Sequence, residues 1–126
     1  MIKVSVIYPN RPDVRFDHDY YRTRHLPLIK SRMGAGLKYY AIDRGLEGRT
    51  ANASATYVAA CHLLCESVET YRSSFGPYAK EIDGDIRNFT DVTPIVQISE
   101  VVVENSATGE ADALRRAPMR QGSPPN

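Results

Sequence analysis

Apolar positions recur along this chain with two periods, and the order in which the periods alternate predicts an architecture. Ile2-Lys3-Val4-Ser5-Val6-Ile7-Tyr8 is a β-rich run that stops at Pro9-Asn10-Arg11-Pro12-Asp13, a dense turn signal. Phe16-Asp17 then opens a helix, with Asp17 suited to cap the first N–H groups and Asp19 suited to the helix dipole. Phe16 just outside the cap is positioned to pack on Tyr21 as a hydrophobic staple. Helical spacing continues through Tyr20, Tyr21, Arg24, His25, Leu28, Ile29 and Arg32 and ends at Met33-Gly34. Pro27 lies inside that helix. It removes a hydrogen bond to the Thr23 carbonyl and crowds it, so a kink or break is expected near His25.

Two strands follow, from Leu37 to Leu46 and from Ala55 to Cys65, separated by the polar stretch Glu47 to Ser54, which reads as a hairpin loop. Ser67 is placed to cap a second helix whose period runs through Val68, Tyr71, Arg72 and Phe75. Gly76-Pro77 interrupts it, Tyr78, Ile82 and Ile86 resume it, and Asn88-Phe89-Thr90 ends it. A last strand spans Thr93 to Val103, with apolar residues at both parities. The order β-α-β-β-α-β predicts an α+β fold of the ferredoxin-like kind, an antiparallel four-stranded sheet with both helices on one face. The other face is then bare and, by the parities of strands one and four, apolar, so a homodimer formed by pairing two sheets back to back is expected.

From Glu104 onward the chain turns to Ser, Gly, Arg and Pro, too poor in apolar residues to build a core. The expected organisation is therefore one domain over 1–104 and a disordered tail over 105–126, apart from a helical turn at Ala111–Arg116. A length of 126 residues suits one domain. Net charge is +1 and the basic residues are scattered, so neither nucleic acid nor an anionic membrane surface is an expected partner. No apolar run approaches the roughly 18 residues of a spanning helix, and the strand-like run that begins at Ile2 leaves no room for a signal peptide. Cys61 and Cys65 fall on one strand face roughly 13 Å apart. A disulfide needs Cα atoms within about 7 Å, so free thiols and a cytoplasmic location are expected.

Candidate chemistry rests on two histidines and a set of tyrosines. His25 stands one helical turn after Tyr21 and beside the break at Pro27, where a side chain that titrates near neutrality can act as acid or base. The same place also suits a histidine that merely caps the broken turn. His62 shares one face of its strand with Val58, Ala60 and Leu64, opposite Tyr57, Ala59, Cys61, Leu63 and Cys65. It fits either a packed histidine or a pocket wall opened by Ala60. Neither histidine has an evident carboxylate partner along the sequence. Eight tyrosines and no tryptophan supply rings with one polar handle each. Tyr8, Tyr21, Tyr40 and Tyr78 are the candidates to line a site for a small hydrophobic or aromatic ligand.

Metal and nucleotide signals are absent. His18 and His25 are about 10 Å apart on an ideal helix, too far to share an ion. Cys61, His62 and Cys65 do not converge as zinc ligands, because His62 faces the other way. Asp83-Gly84-Asp85 lacks the remainder of a calcium loop. There is no glycine-rich dinucleotide fingerprint, phosphate loop or nucleophile elbow. No metal and no cofactor are expected.

The string Asp17-x-x-Tyr20-Tyr21-x-x-x-His25-x-Pro27-Leu28, following Val4-x-Val6-Ile7-Tyr8-Pro9, resembles the EthD family, named after a protein linked to ethyl tert-butyl ether degradation. Ser67-Val68-Glu69, Phe75-Gly76-Pro77, Asn88-Phe89-Thr90 and Pro94 to Glu100 extend the resemblance in order, over residues 1 to about 103. It implies the dimeric α/β-barrel superfold, whose members include lactone isomerases, polyketide cyclases, cofactor-free monooxygenases and haem enzymes. It also implies that His25 serves a site, with His62 near the place where similar isomerases carry a reactive side chain on strand three. The resulting expectation is a cofactor-independent isomerase or cyclase: His25 shuttles a proton, His62 assists, and Tyr21 and Tyr40 position an oxygen. The alternatives are a non-catalytic ligand-binding or accessory protein and a cofactor-free monooxygenase.

Overall fold

A computed structural model describes residues 1–105. The tail expected over 105–126, apart from its first residue, lies outside the described residues, as does the helical turn at Ala111–Arg116. Strands β1 (Ile2–Pro9), β2 (Tyr39–Arg44), β3 (Tyr57–Cys65) and β4 (Ile95–Glu100) form one sheet in the order β2-β3-β1-β4, every neighbour antiparallel. The fold is the expected α+β ferredoxin-like one.

The last strand is shorter than its apolar run because its partner runs out. Ile2 pairs with Glu100, after which only Met1 remains to accept from the Val101 N–H, so Val101–Val103 leave the ladder despite their β-branched side chains.

The first helical segment comprises α1 (His18–Tyr20), a π-helical turn over Tyr21–His25 and α2 (Leu26–Met33). Asp17 caps it by accepting from the Tyr20 N–H at 3.0 Å. The break expected at Pro27 is a widened turn instead. Proline has no N–H to offer the Thr23 carbonyl, and the Leu26 N–H reaches back to the Tyr21 carbonyl, so the helix passes Pro27 with one residue extra in its turn. His25 is the last residue of that turn. α2 stops at Gly34, whose φ of 57° suits a residue without a Cβ. The second helical segment comprises α3 (Val68–Phe75), capped by the Ser67 hydroxyl accepting from the Thr70 N–H, and α4 (Ala79–Asp85), with 3-10 turns over Gly76–Tyr78 and Ile86–Asn88.

Both segments pack on one face of the sheet. Val4, Tyr8, Cys61, Leu63 and Cys65 meet Tyr21, Leu26, Ile29, Met33 and Ile82 in one buried cluster. Both cysteines are buried and free. Register places Lys3, Ser5, Ile7, Asp43, His62, Leu64, Ile95, Gln97 and Ser99 on the opposite face. That face is mixed rather than apolar: a chain of hydrogen bonds, Ser5 to His62 to Asp43, crosses three strands at its centre. Among the described residues no helix is long and apolar enough to cross a membrane.

Candidate functional site

The widened turn directs His25 inward. Its side chain is almost wholly buried, and its Nδ1 lies 2.9 Å from Oδ2 of Asp85 at the end of α4. The other oxygen of Asp85 accepts from the Tyr20 hydroxyl at 2.6 Å and from the Asn88 side-chain amide at 2.9 Å. Burial alone raises the pKa of Asp85, but the hydrogen bonds from Tyr20, His25 and Asn88 outweigh it and hold the carboxyl below its ordinary range. Burial lowers the pKa of His25, and the opposing pull of Asp85 and Asp83 does not restore it. At neutral pH the pair is therefore a carboxylate and a neutral imidazole. An ionised Asp85 can only accept, so the proton sits on Nδ1 and the lone pair on Nε2. Nε2 has no hydrogen-bonded partner among the described residues.

Aromatic rings fix the imidazole in place. Tyr21 stacks on it at 5.7 Å between centroids and 15° between planes, and Phe89, fully buried, lies 4.6 Å away on centroids. Phe89 also meets Tyr8, Phe16, Tyr20 and Tyr21. A rotamer change at His25 would disturb this whole cluster.

His25 lines a cavity of about 170 Å³ between the sheet and the helices. Its walls are apolar: Val6 and Leu63 from the sheet, Ile29 from α2, Phe75 from α3, Ile82 in the middle of α4 and Ile86 just after it. Tyr8, Cys61 and Tyr71 add a phenol, a thiol and a second phenol, while Asp83, Pro94 and the half-exposed Val96 form the rim. Burial raises the pKa of both phenols, Tyr8 far above its usual range, and pushes the Cys61 thiol up to about 11. All three stay protonated at neutral pH, which leaves the neutral imidazole as the base of the cavity.

Of the residues singled out from sequence, the structure brings His25 and Tyr8 to the cavity and not the others. Tyr21 lies behind His25 as a stacking partner, its hydroxyl buried beside Tyr8 and Cys61 without a well-aligned bond to either. Tyr40 packs on the core from β2, and Tyr78 sits at the surface under the Arg32 guanidinium. His62 does not meet His25, because strand alternation puts it on the face away from the helices. There Nε2 lies 2.9 Å from Asp43 and Nδ1 lies 2.9 Å from the Ser5 hydroxyl. Each histidine has a carboxylate partner that its neighbours in sequence do not reveal: Asp85 for His25 and Asp43 for His62. Asp85 escaped sequence reasoning because it lies 60 residues from His25 and meets it only through helix packing. Its signal was an acid, one of two with Asp83, between the core positions Ile82 and Phe89 and next to Ile86. Among the described residues no three of His, Cys, Asp or Glu converge on a metal-holding geometry.

Residues 13–93, well over half the chain and spanning Tyr20, His25 and Asp85, match the family model described as the EthD domain. The chain belongs to the EthD family. An EthD-like protein from Ralstonia eutropha JMP134, of known crystal structure, is 46% identical, with a TM-score of 0.80, over 83% of this chain and 95% of that one. An ethyl tert-butyl ether degradation (EthD) family protein from Bacillus halodurans C-125 shares the fold at 17% identity and a TM-score of 0.60, over 79% of this chain and 97% of that one. No curated protein matches the chain.

Proposed function

We propose that this EthD-family protein is a cofactor-independent enzyme of small-molecule metabolism that moves a proton on a hydrophobic, oxygenated compound, in an isomerisation or cyclisation. The observation that carries this reading is a neutral histidine, held through Nδ1 by the half-buried Asp85 carboxylate and with Nε2 unbonded, that lines an apolar cavity. Such a site needs only a base, a donor and exclusion of water. Nε2 of His25 takes a proton from carbon next to a carbonyl, Tyr8 donates a hydrogen bond to the oxygen that gains charge, and the same imidazolium returns the proton elsewhere on the skeleton. Asp85 holds the imidazole in the tautomer that presents Nε2 and favours the imidazolium that forms.

A homodimer covering the sheet face that carries His62 fits the exposed Ile95 at its edge. The two buried free thiols suit a reducing cytoplasm.

The test is isotope exchange. The protein is incubated in D2O with a panel of cyclic ketones and lactones, and deuterium uptake at the carbon next to the carbonyl is followed by NMR. His25→Ala should cut protein-dependent uptake by about 10²- to 10⁴-fold, the usual span of a general base. Uptake that His25→Ala leaves untouched would refute the reading.

A further inference from the structure

Size and charge of the cavity narrow what it can hold. Its volume of about 170 Å³ is near the ~150 Å³ of an apolar cavity that takes up benzene. A single six-membered ring fits; a fused polycycle does not. Among the described residues no lysine or arginine lines the cavity, and its histidine is neutral, so a buried carboxylate would find no cation there to offset its lost hydration. Asp83 stands exposed at the rim, and its negative charge acts on Tyr8, Tyr71 and His25, so its field extends into the cavity. Beyond Asp83, Ile86 and Pro94 the cavity adjoins an open groove with Arg87, Thr90 and Thr93 on its walls. A charged group is therefore matched only on a substituent long enough to leave the cavity.

We infer that the cavity accepts a compact uncharged molecule of about one ring and turns away the matching carboxylate, with Asp83 at the rim adding to this preference. The inference rests on the cavity beside His25 being the ligand site, as the proposed function has it, but not on any proton transfer there.

The experiment measures binding rather than turnover. Phenol and cyclohexanone are titrated against benzoate and cyclohexanecarboxylate at pH 7.5, followed by amide NMR, with wild type, Asp83→Asn and Val96→Phe. Wild type should bind the neutral probes, with shifts centred on Tyr71, Phe75 and Ile82, and should bind the carboxylates at least about ten-fold more weakly. Asp83→Asn should shrink the ratio of neutral to carboxylate affinity by about two- to five-fold, the share of an exposed charge, while the cation-free lining keeps the rest. Val96→Phe, a change at an exposed rim position, should weaken the neutral probes by narrowing the entrance. The inference is overturned if carboxylates bind wild type as well as neutral probes do, if Asp83→Asn leaves the ratio unchanged, or if no neutral probe binds at the cavity. Tight, selective binding without deuterium exchange would instead count against the catalytic reading alone.

Discussion

His25 and Asp85 stand 60 positions apart in sequence and meet at 2.9 Å, Nδ1 to Oδ2, where the first helical segment passes α4. The contact links two properties of the imidazole: which nitrogen carries the proton, and how readily the ring accepts a second one. Asp85→Asn removes the charge while keeping the shape. It should lower the pKa of His25 further, since the Asp85 hydrogen bond and charge both raise it. It also lets the amide present either its oxygen or its NH2 to the ring, so the Nδ1–H tautomer is no longer enforced. Deuterium exchange should fall by at least about ten-fold, with Tyr20→Phe causing a smaller loss because it removes one of three donors to Asp85. Matched exchange rates for the two variants and wild type would contradict this role.

Burial of a neutral His25 also has a pH signature. Its folded pKa lies below the unfolded value near 6.5, so the unfolded chain binds more protons in the window between the two. The stability that comes from keeping the imidazole neutral is complete above pH 6.5 and is lost as pH falls from there through the folded value. His18, also depressed, chiefly by burial and then by the Arg44 charge, adds to the same slope. Urea melts at pH 7.5, 6.0 and 5.0 should show wild type weakening below pH 6.5. His25→Gln should weaken less steeply, keeping only the remaining contributions.

Phe89 is fully buried and touches the rings of Tyr8, Phe16, Tyr20, Tyr21 and His25. Phe89→Ala should therefore cost about 3–5 kcal/mol of stability by chemical denaturation. Ser67→Ala, which removes only the cap on the Thr70 N–H, should cost about 1 kcal/mol. A Phe89→Ala penalty no larger than that of Ser67→Ala would contradict the packing of the aromatic cluster.

His62 provides a test from the other face of the sheet. Its bonds to Ser5 and Asp43 keep it out of the cavity, so His62→Ala should leave deuterium exchange within about two-fold of wild type, in contrast to His25→Ala. His62→Glu sets a second carboxylate beside Asp43 on the face proposed to pair with another copy. Sedimentation should then show a shift from dimer toward monomer. A dimer unaffected by His62→Glu would argue for a different interface.

Much of the fold was legible because it depends on local rules. The apolar runs of Ile2–Tyr8 and Ala55–Cys65, the caps at Asp17 and Ser67, and the gap at Pro27 each act within a few residues, and all are present in the fold. The parity of His62 relative to Cys61 was legible too. Which parity faces the helices was not, because β3 carries small or apolar residues on both sides: Ala60 and Leu64 on one, Ala59 and Leu63 on the other. That choice sends Cys61 to the cavity and His62 away from it, and separates two histidines that sequence reasoning had joined in one mechanism. Asp85 and Phe89 were illegible for a related reason: each acquires its role from how α4 and the turn after it lie against the π-helical turn. Conversely, Tyr21 has the right spacing to reach His25, but the stacking of their rings uses up that proximity.

The chemistry proposed for the cavity requires His25 to be a neutral base, protonated on Nδ1 and open at Nε2. Long-range ¹H–¹⁵N NMR of the imidazole side chains tests it without a substrate. At pH 7.5 His25 should give the pattern of the Nδ1–H tautomer, with Nε2 as the unprotonated nitrogen and as the one most shifted when cyclohexanone is added. It should also remain neutral as pH is lowered past 6.5, where an exposed histidine is half charged. An Nε2–H tautomer, or an imidazolium already formed at pH 7.5, would contradict it.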